Sequence, residues 1–185
     1  MQELKFPQLK KILKRNLNKN IVDIFIIGSF MKNKLNPNDI DIIILFKEKN
    51  LGEVGLNLHK IRESLKSNKL HLESIFADTM FKEPIFVTIL HEGFSIKHNK
   101  EVHDLLNLKS FTLFNYSLGN LSKIEKVKFA QILYGRKKDG LLYREKAISL
   151  GAGSFKVPVE KEEIFKEFFS KWKVKYNSKR TFVNN

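Results

Sequence analysis

Two aspartates stand two residues apart in the run Asp39-Ile40-Asp41-Ile42, and upstream of them a Gly28-Ser29 pair ends an apolar stretch that begins at Ile21. On a β-strand, positions i and i+2 project from one face, roughly 7 Å apart. Two carboxylates so placed can hold hard divalent cations between oxygen ligands. Ile40 and Ile42 then point the other way, toward a core. Adjacent carboxylates repel one another, a cost that is offset where divalent ions and a polyphosphate neutralise them. The upstream pair suits that polyphosphate. Gly28 lets backbone approach a phosphate closely. Ser29, opening a short helix, offers both a hydroxyl and an N–H to phosphate oxygens. Lys32 follows one helical turn later with a positive charge for a triphosphate.

The elements that must hold these residues can be read from apolar periodicity. The branched and aromatic run over 21–27 predicts a buried strand entering a turn, and a second strand covers 39–46. Residues 30–38 have room for a turn or two of helix and close on the turn signal Asn36-Pro37-Asn38. Val54, Leu56, Leu58, Ile61 and Leu65 follow helical spacing and predict a helix over 51–65. A third strand is expected over 70–77, a helix over 85–90, a short strand over 94–96 and a short helix over 102–108. His91 and Glu92 read as a solvated helix end capped at Gly93. Near the N-terminus, Leu9, Ile12, Leu13 and Leu17 mark a Lys-rich amphipathic helix that packs on the protein. That segment has no apolar run long enough for a signal peptide or membrane span.

The combination Ile27-Gly28-Ser29, a nine-residue spacer and then Asp39-Ile40-Asp41 resembles the DNA polymerase beta-type nucleotidyltransferase superfamily. The signature there is an apolar residue, Gly, Gly or Ser, a spacer, and acid-apolar-acid on the next strand. Where minimal members carry a small residue, Arg and Gly after the Gly-Ser pair, this chain has Met31, Lys32 and Asn33. Lys keeps the charge, and Asn tolerates the left-handed backbone that Gly would adopt. The resemblance implies an α+β core, a small mixed sheet with flanking helices, that moves a nucleoside monophosphate from an NTP or dNTP to an acceptor hydroxyl. It implies Asp39 and Asp41 as catalytic metal ligands for two Mg2+ ions, with Mn2+ as an alternative, and Gly28, Ser29 and Lys32 as nucleotide-binding residues. It also implies a third carboxylate on the third strand, for which Glu73 is preferred and Asp78, at the strand's end, is the rival.

The resemblance covers about the first hundred residues. A composition shift near residue 110 sets apart a small C-terminal α/β module, giving a catalytic domain over 1–110 and a basic module over 111–185. In the module, Ser122 with Glu125 forms a capping box opening a helix over 123–134, whose Ile124, Val127, Phe129, Ile132 and Leu133 read as mainly core. Turns at Asp139-Gly140 and Gly151-Ala152-Gly153 follow, then a strand over 155–159, a helix over 162–171 and a strand over 175–183.

Charge points to the partner. The chain carries a formal net charge of +14, and residues 121–185 hold 16 basic and 7 acidic side chains, against 18 and 13 in residues 1–120. Such a field suits a polyanion. Arg136, Lys137, Lys138, Arg144, Lys179 and Arg180, with Lys146 and Lys156, interleave with Tyr143, Phe155 and Tyr176, a pattern able to hold a nucleic-acid backbone and stack bases. A nucleic-acid 3′ end is therefore the expected acceptor. The same core also serves small molecules such as aminoglycosides, and protein hydroxyls in antitoxin-type transferases. A non-catalytic nucleic-acid-binding module is the reading from another class, and it has no need of all three acids. The absence of cysteine excludes disulfides, thiolate zinc sites and cysteine nucleophiles, and suits a reducing cytoplasm.

Overall fold

Ile21–Ile27 and Ile40–Phe46 bury side chains on both faces, as central strands covered from two sides must. They form β1 and β2 of the computed structural model, which describes residues 5–28, 39–66, 69–136 and 139–184. The chain is α+β and divides into two compact units, Met1–Leu106 and Asn107–Asn185. That division falls a few residues before the composition shift at 110, because a strand of the second unit starts at Leu108. Among the described residues, no helix is long and apolar enough to cross a membrane.

In the first unit the order is α1 (Phe6–Asn16), β1, β2, α2 (Leu51–Leu65), β3 (Leu70–Phe76), a 3-10 turn (Met80–Lys82), α3 (Ile85–Glu92), β4 (Phe94–Ser95), β5 (Lys100–Glu101) and α4 (Val102–Leu105). The sheet runs β3-β2-β1-β4-β5. It is mixed: β2 and β3 are parallel, with α2 as their crossover, and the other pairs are antiparallel. Ile24, Ile26, Ile40, Ile42, Ile44 and Phe46 pack on one face against Leu9 and Leu13 of α1 and Val54, Ile61 and Leu65 of α2. Ile12 and Leu17 lie at the margin of that layer, whereas Leu56, at helical spacing with it, is exposed. The opposite face gathers Phe25, Ile27, Ile43, Leu45 and Ile75 with Ile89 of α3 and Val102 of α4.

One carboxylate inside that second layer is structural. Asp23 is buried, and its Oδ1 accepts from the Ile24 and Lys97 N–H groups while its Oδ2 accepts from Ser95 Oγ at 2.5 Å. Ser95 Oγ in turn accepts from the His98 N–H. These bonds tie the turn after β4 back to β1. His91 is also buried, so the end of α3 is not the solvated terminus its sequence suggests, although the helix does stop at Gly93.

The second unit runs β6 (Leu108–Ser117), α5 (Lys123–Tyr134), the single turn α6 (Leu141–Arg144), β7 (Ile148–Gly151), β8 (Ser154–Pro158), a 3-10 turn (Val159–Lys161), α7 (Glu162–Lys171) and β9 (Lys175–Asn184). This is the β-α-β-β-α-β chain order of a split βαβ unit. Its sheet order is β7-β8-β6-β9, with every neighbouring pair antiparallel. Ser122 and Glu125 exchange the two capping bonds that open α5. Phe129 and Leu133 of α5 meet Phe165, Phe168 and Phe169 of α7 over Phe114, Phe155 and Val157 of the sheet. Ile124, Val127 and Ile132 do not join that core and are exposed.

A charged group is buried beneath this layer. Glu162 accepts from Thr112 Oγ1 at 2.8 Å and from Arg180 Nε at 2.9 Å, and pairs with Lys166. Burial alone would raise its pKa, but the bonds from Lys166, Arg180 and Thr112 outweigh it and lower the carboxyl from 4.5 to about 2. The folded pKa is depressed, so the stabilisation is complete above pH about 4.5 and is lost as pH falls toward 2. Trp172, the single tryptophan, packs edge-on against Phe129 and reports on this unit. Urea unfolding of the full chain followed by Trp172 fluorescence should show Glu162→Gln costing on the order of 3 kcal/mol at pH 7. The deficit should shrink between pH 4.5 and 2; a deficit that stays constant over that window contradicts the assignment.

Candidate functional site

The register of three strands assembles the site. Ile27 of β1 pairs with Asp41 of β2, Asp41 pairs with His71 of β3, and Ile43 pairs with Glu73. Residues side by side on neighbouring strands share a face. Asp41, His71 and Glu73 therefore lie on one face, and Asp39 would join them were the alternation of β2 continued by one residue. Ile40 and Ile42 lie on the other face, both buried. The acids stand where β1 ends and β2 and β3 begin. The cover of α3 and α4 falls away there: Ile43 is 1% exposed, but the Asp41 side chain is 34% exposed, and Asp39, one residue before β2, is exposed.

Asp41 has neighbours on two sides. Its Oδ1 lies 3.4 Å from His71 Nδ1. Its Oδ2 lies over Gly28, where a Cβ would come within 2.8 Å of it. Gly28 also has φ of +80°, in the region that L side chains avoid. The backbone conformation thus favours glycine at position 28, and the missing side chain leaves bare backbone alongside the carboxylate. Ser29 and Lys32, the other two nucleotide-binding candidates, lie outside the described residues, as do Lys137 and Lys138.

Glu73 is one strand over and two residues farther along than Asp41, a diagonal of about 8 Å between Cα atoms for ordinary strand spacings, and is half-buried. Its rival is far off. β3 pairs Phe76 with Phe46 at the opposite end of the sheet, and Asp78 follows in an exposed turn closed by the Thr79 N–H on the Phe76 carbonyl. Oxygen donors from Asp39, Asp41 and Glu73 match what Mg2+ or Mn2+ takes, and the two aspartates are open to an entering ion. Asp41 and Glu73 share a face, but the three do not close on a common point. Among the described residues, the group of three with donor atoms all within 4.8 Å is Glu101, His103 and Asp104. There His103 Nε2 lies 3.1 Å from Glu101 and 3.9 Å from Asp104. Neither that cluster nor His71 stands out in the sequence, although His71 is two residues before Glu73 and so shares its face.

The basic candidates do not share one element. Lys179 and Arg180 are neighbours on β9 with opposite orientations: Lys179 is exposed, whereas Arg180 turns inward to Glu162. Arg136, Arg144 and Lys146 are exposed on the segment joining α5 to β7. Of the aromatic candidates, Tyr143 is exposed and Phe155 is fully buried. Tyr176 stacks on Phe169, with ring centroids 4.8 Å apart.

A family model described as a family of unknown function (DUF6932) matches residues 4–183. No curated protein matches the chain. A solved structure of a tri-AMPylated Shewanella oneidensis HEPN toxin in complex with MNT antitoxin is similar at 19% identity, covering 57% of this chain and 79% of that chain. Its TM-score of 0.34 is too low for the likeness to carry an argument.

The packing of Gly28 against Asp41 is testable by a double-mutant cycle. Gly28→Ala should cost about 1–2 kcal/mol through its backbone conformation alone, and more while the Asp41 carboxylate is in place. In an Asp41→Ala background the cost should fall by at least about 0.5 kcal/mol, measured by urea unfolding with circular dichroism. Equal costs in the two backgrounds would show that Asp41 does not rest on Gly28.

Proposed function

The chain belongs to the DUF6932 family of unknown function, and from the geometry of its own site we propose that it is a metal-dependent nucleotidyltransferase with a polymerase beta-type core. The observation that carries this reading is the placement of Asp41 and Glu73 on one sheet face, at the end that α3 and α4 do not cover, with Asp39 exposed immediately before β2 and Gly28 against Asp41. The succession of strand, glycine turn, strand with paired acids, helix, and parallel strand with a third acid supports it. It is the succession that the resemblance implies.

Asp39 and Asp41 would hold two Mg2+ ions, or Mn2+ in their place, with Glu73 as a further ligand, and the ions supply charge neutralisation of the triphosphate and a lowered pKa for the acceptor hydroxyl. Gly28 provides backbone without a side chain beside the β and γ phosphates, and the resemblance implies Ser29 and Lys32 as further nucleotide-binding residues. His71 lies beside one oxygen of Asp41. The acceptor oxygen attacks the α phosphorus in line. The bond from that phosphorus to the oxygen bridging to the β phosphorus breaks, and pyrophosphate leaves with the electron pair. Glu73 receives the hydroxyl proton. A nucleic-acid 3′ end is the acceptor that the net +9 over residues 121–185 favours.

Incubation with α-labelled nucleoside triphosphates, magnesium and a mixture of tRNA, single-stranded DNA and primed duplex should place label in nucleic acid. The Asp39→Ala, Asp41→Ala double variant should reduce this by at least about 1,000-fold, and Glu73→Gln by about 100-fold or more. Label that is absent under every condition, or that persists in the double variant, would sink the proposal. Label appearing only on protein would retain the transfer and replace the acceptor.

A further inference from the structure

The sheet of the second unit has one face covered by helices and one that, among the described residues, no element of that unit covers. On the covered face lie Thr112, Phe114, Phe155, Val157 and Arg180. Alternation puts Lys109, Phe111 and Leu113 of β6, Lys156 of β8, and Lys175 and Lys179 of β9 on the other. Lys156, Leu113 and Lys179 form one row across three strands, because Leu113 pairs with both lysines. Phe111 sits in the adjoining row on a central strand, with Lys156 Nζ 4.9 Å from its ring centroid.

Charge on this sheet is segregated. No aspartate or glutamate occurs in β6, β7, β8 or β9. The unit's carboxylates lie on helices and turns, and the one that reaches the sheet, Glu162, is buried on the helical side against Arg180. The four lysines of the uncovered face thus have no acid beside them on the sheet, and their positive field runs along it from Lys109 at one end to Lys175 at the other, as an extended polyanion requires. A sheet face with an aromatic ring between Lys109 and the row of Lys156 and Lys179 matches a ligand that has both anionic and π-faced groups. Unpaired nucleotides have both. A duplex keeps its base faces stacked away, and an anionic lipid headgroup or acidic peptide lacks them.

We propose that this sheet face, built from Lys109, Phe111, Leu113, Lys156, Lys175 and Lys179, binds single-stranded nucleic acid. It gives the acceptor of the proposed transfer a binding surface, and to that extent rests on that reading. Phosphates lie against the lysines and a base lies against Phe111. Arg136 and Arg144 are not part of the surface, and Arg180 serves the fold.

The test is fluorescence anisotropy of labelled 12-nucleotide oligouridylate and oligothymidylate with the full chain over a range of KCl concentrations. Lys109→Ala, Lys175→Ala and Lys179→Ala together should weaken binding at least 10-fold at low salt. They should also reduce the slope of log affinity against log salt by about 2, at roughly 0.7 for each phosphate of a single strand that a lysine no longer neutralises. Phe111→Leu, which keeps an apolar side chain at that position, should weaken binding several-fold with the slope unchanged. Arg136→Ala with Arg144→Ala, and separately Asp39→Ala with Asp41→Ala, should bind as the unaltered chain does. Intact binding without label transfer would then remove the transferase reading and leave this one standing. The proposal is overturned if the unaltered chain does not bind single strands, if the triple lysine variant keeps affinity and slope, or if replacing the arginine pair is what weakens binding. Tighter binding to duplex or to phosphatidylserine vesicles than to single strands overturns it equally.

Discussion

Burial of Ile40, Ile42 and Ile44 against α1 and α2 fixes which way β2 faces, and the candidate site follows from that orientation. All three isoleucines are almost wholly inaccessible, and each contributes on the order of 2 kcal/mol by leaving water. A slip of one residue would turn them out and carry Asp41 into the apolar layer, where an unpaired carboxylate costs several kcal/mol more. The register is therefore held from both sides. Its consequence is that the intervening residue, Asp41, takes the opposite face with no freedom to choose. The parallel pairing of β3 then brings His71 and Glu73 to the same face.

Where the acids fall along the strands matters as much as which face they take. Farther along β2 the same face carries Ile43 and Leu45, closed over by Ile89 and Val102. The paired acids lie beyond that cover, at the strand's beginning, so they stay hydrated and open to ions. The buried Asp23 makes the contrast. On the same face at the other end of β1, it is enclosed and takes three hydrogen bonds, from two backbone N–H groups and Ser95. One carboxylate organises a turn, and Asp39 and Asp41 remain accessible to solvent.

Much of this was legible because β1 and β2 are almost purely apolar and are interrupted only at Asp23 and Asp41. The bounds of β1, α2 and α7, and the capping box of α5, follow from local patterns that tertiary structure does not override. β6 is harder to read. Its inward positions include Ser110 and Thr112, and Thr112 is buried because Glu162 needs its hydroxyl; a buried polar pair erases the apolar alternation that would mark the strand. α5 misleads in the opposite way, with apolar residues around more of its circumference than its core packing uses, so Ile124, Val127 and Ile132 remain outside. Phe155 and Lys156 are adjacent, and only the register shows that the ring belongs to the core and the ammonium to the open face. His71 acquires its place beside Asp41 from a pairing between strands thirty residues apart in sequence, which no local pattern encodes.

In the proposed transferase, Asp39 and Asp41 bind divalent ions together with a nucleoside triphosphate. The most direct measurement is Mn2+ binding by electron paramagnetic resonance in the presence and absence of a triphosphate whose αβ bridge is a methylene group, so that no transfer occurs. The account predicts that the analogue raises Mn2+ affinity by at least 10-fold, that two ions bind per chain at saturation, and that Asp39→Asn with Asp41→Asn abolishes the enhancement in a folded protein. Mn2+ binding that is indifferent to the triphosphate, or unchanged when both aspartates are replaced, would contradict it.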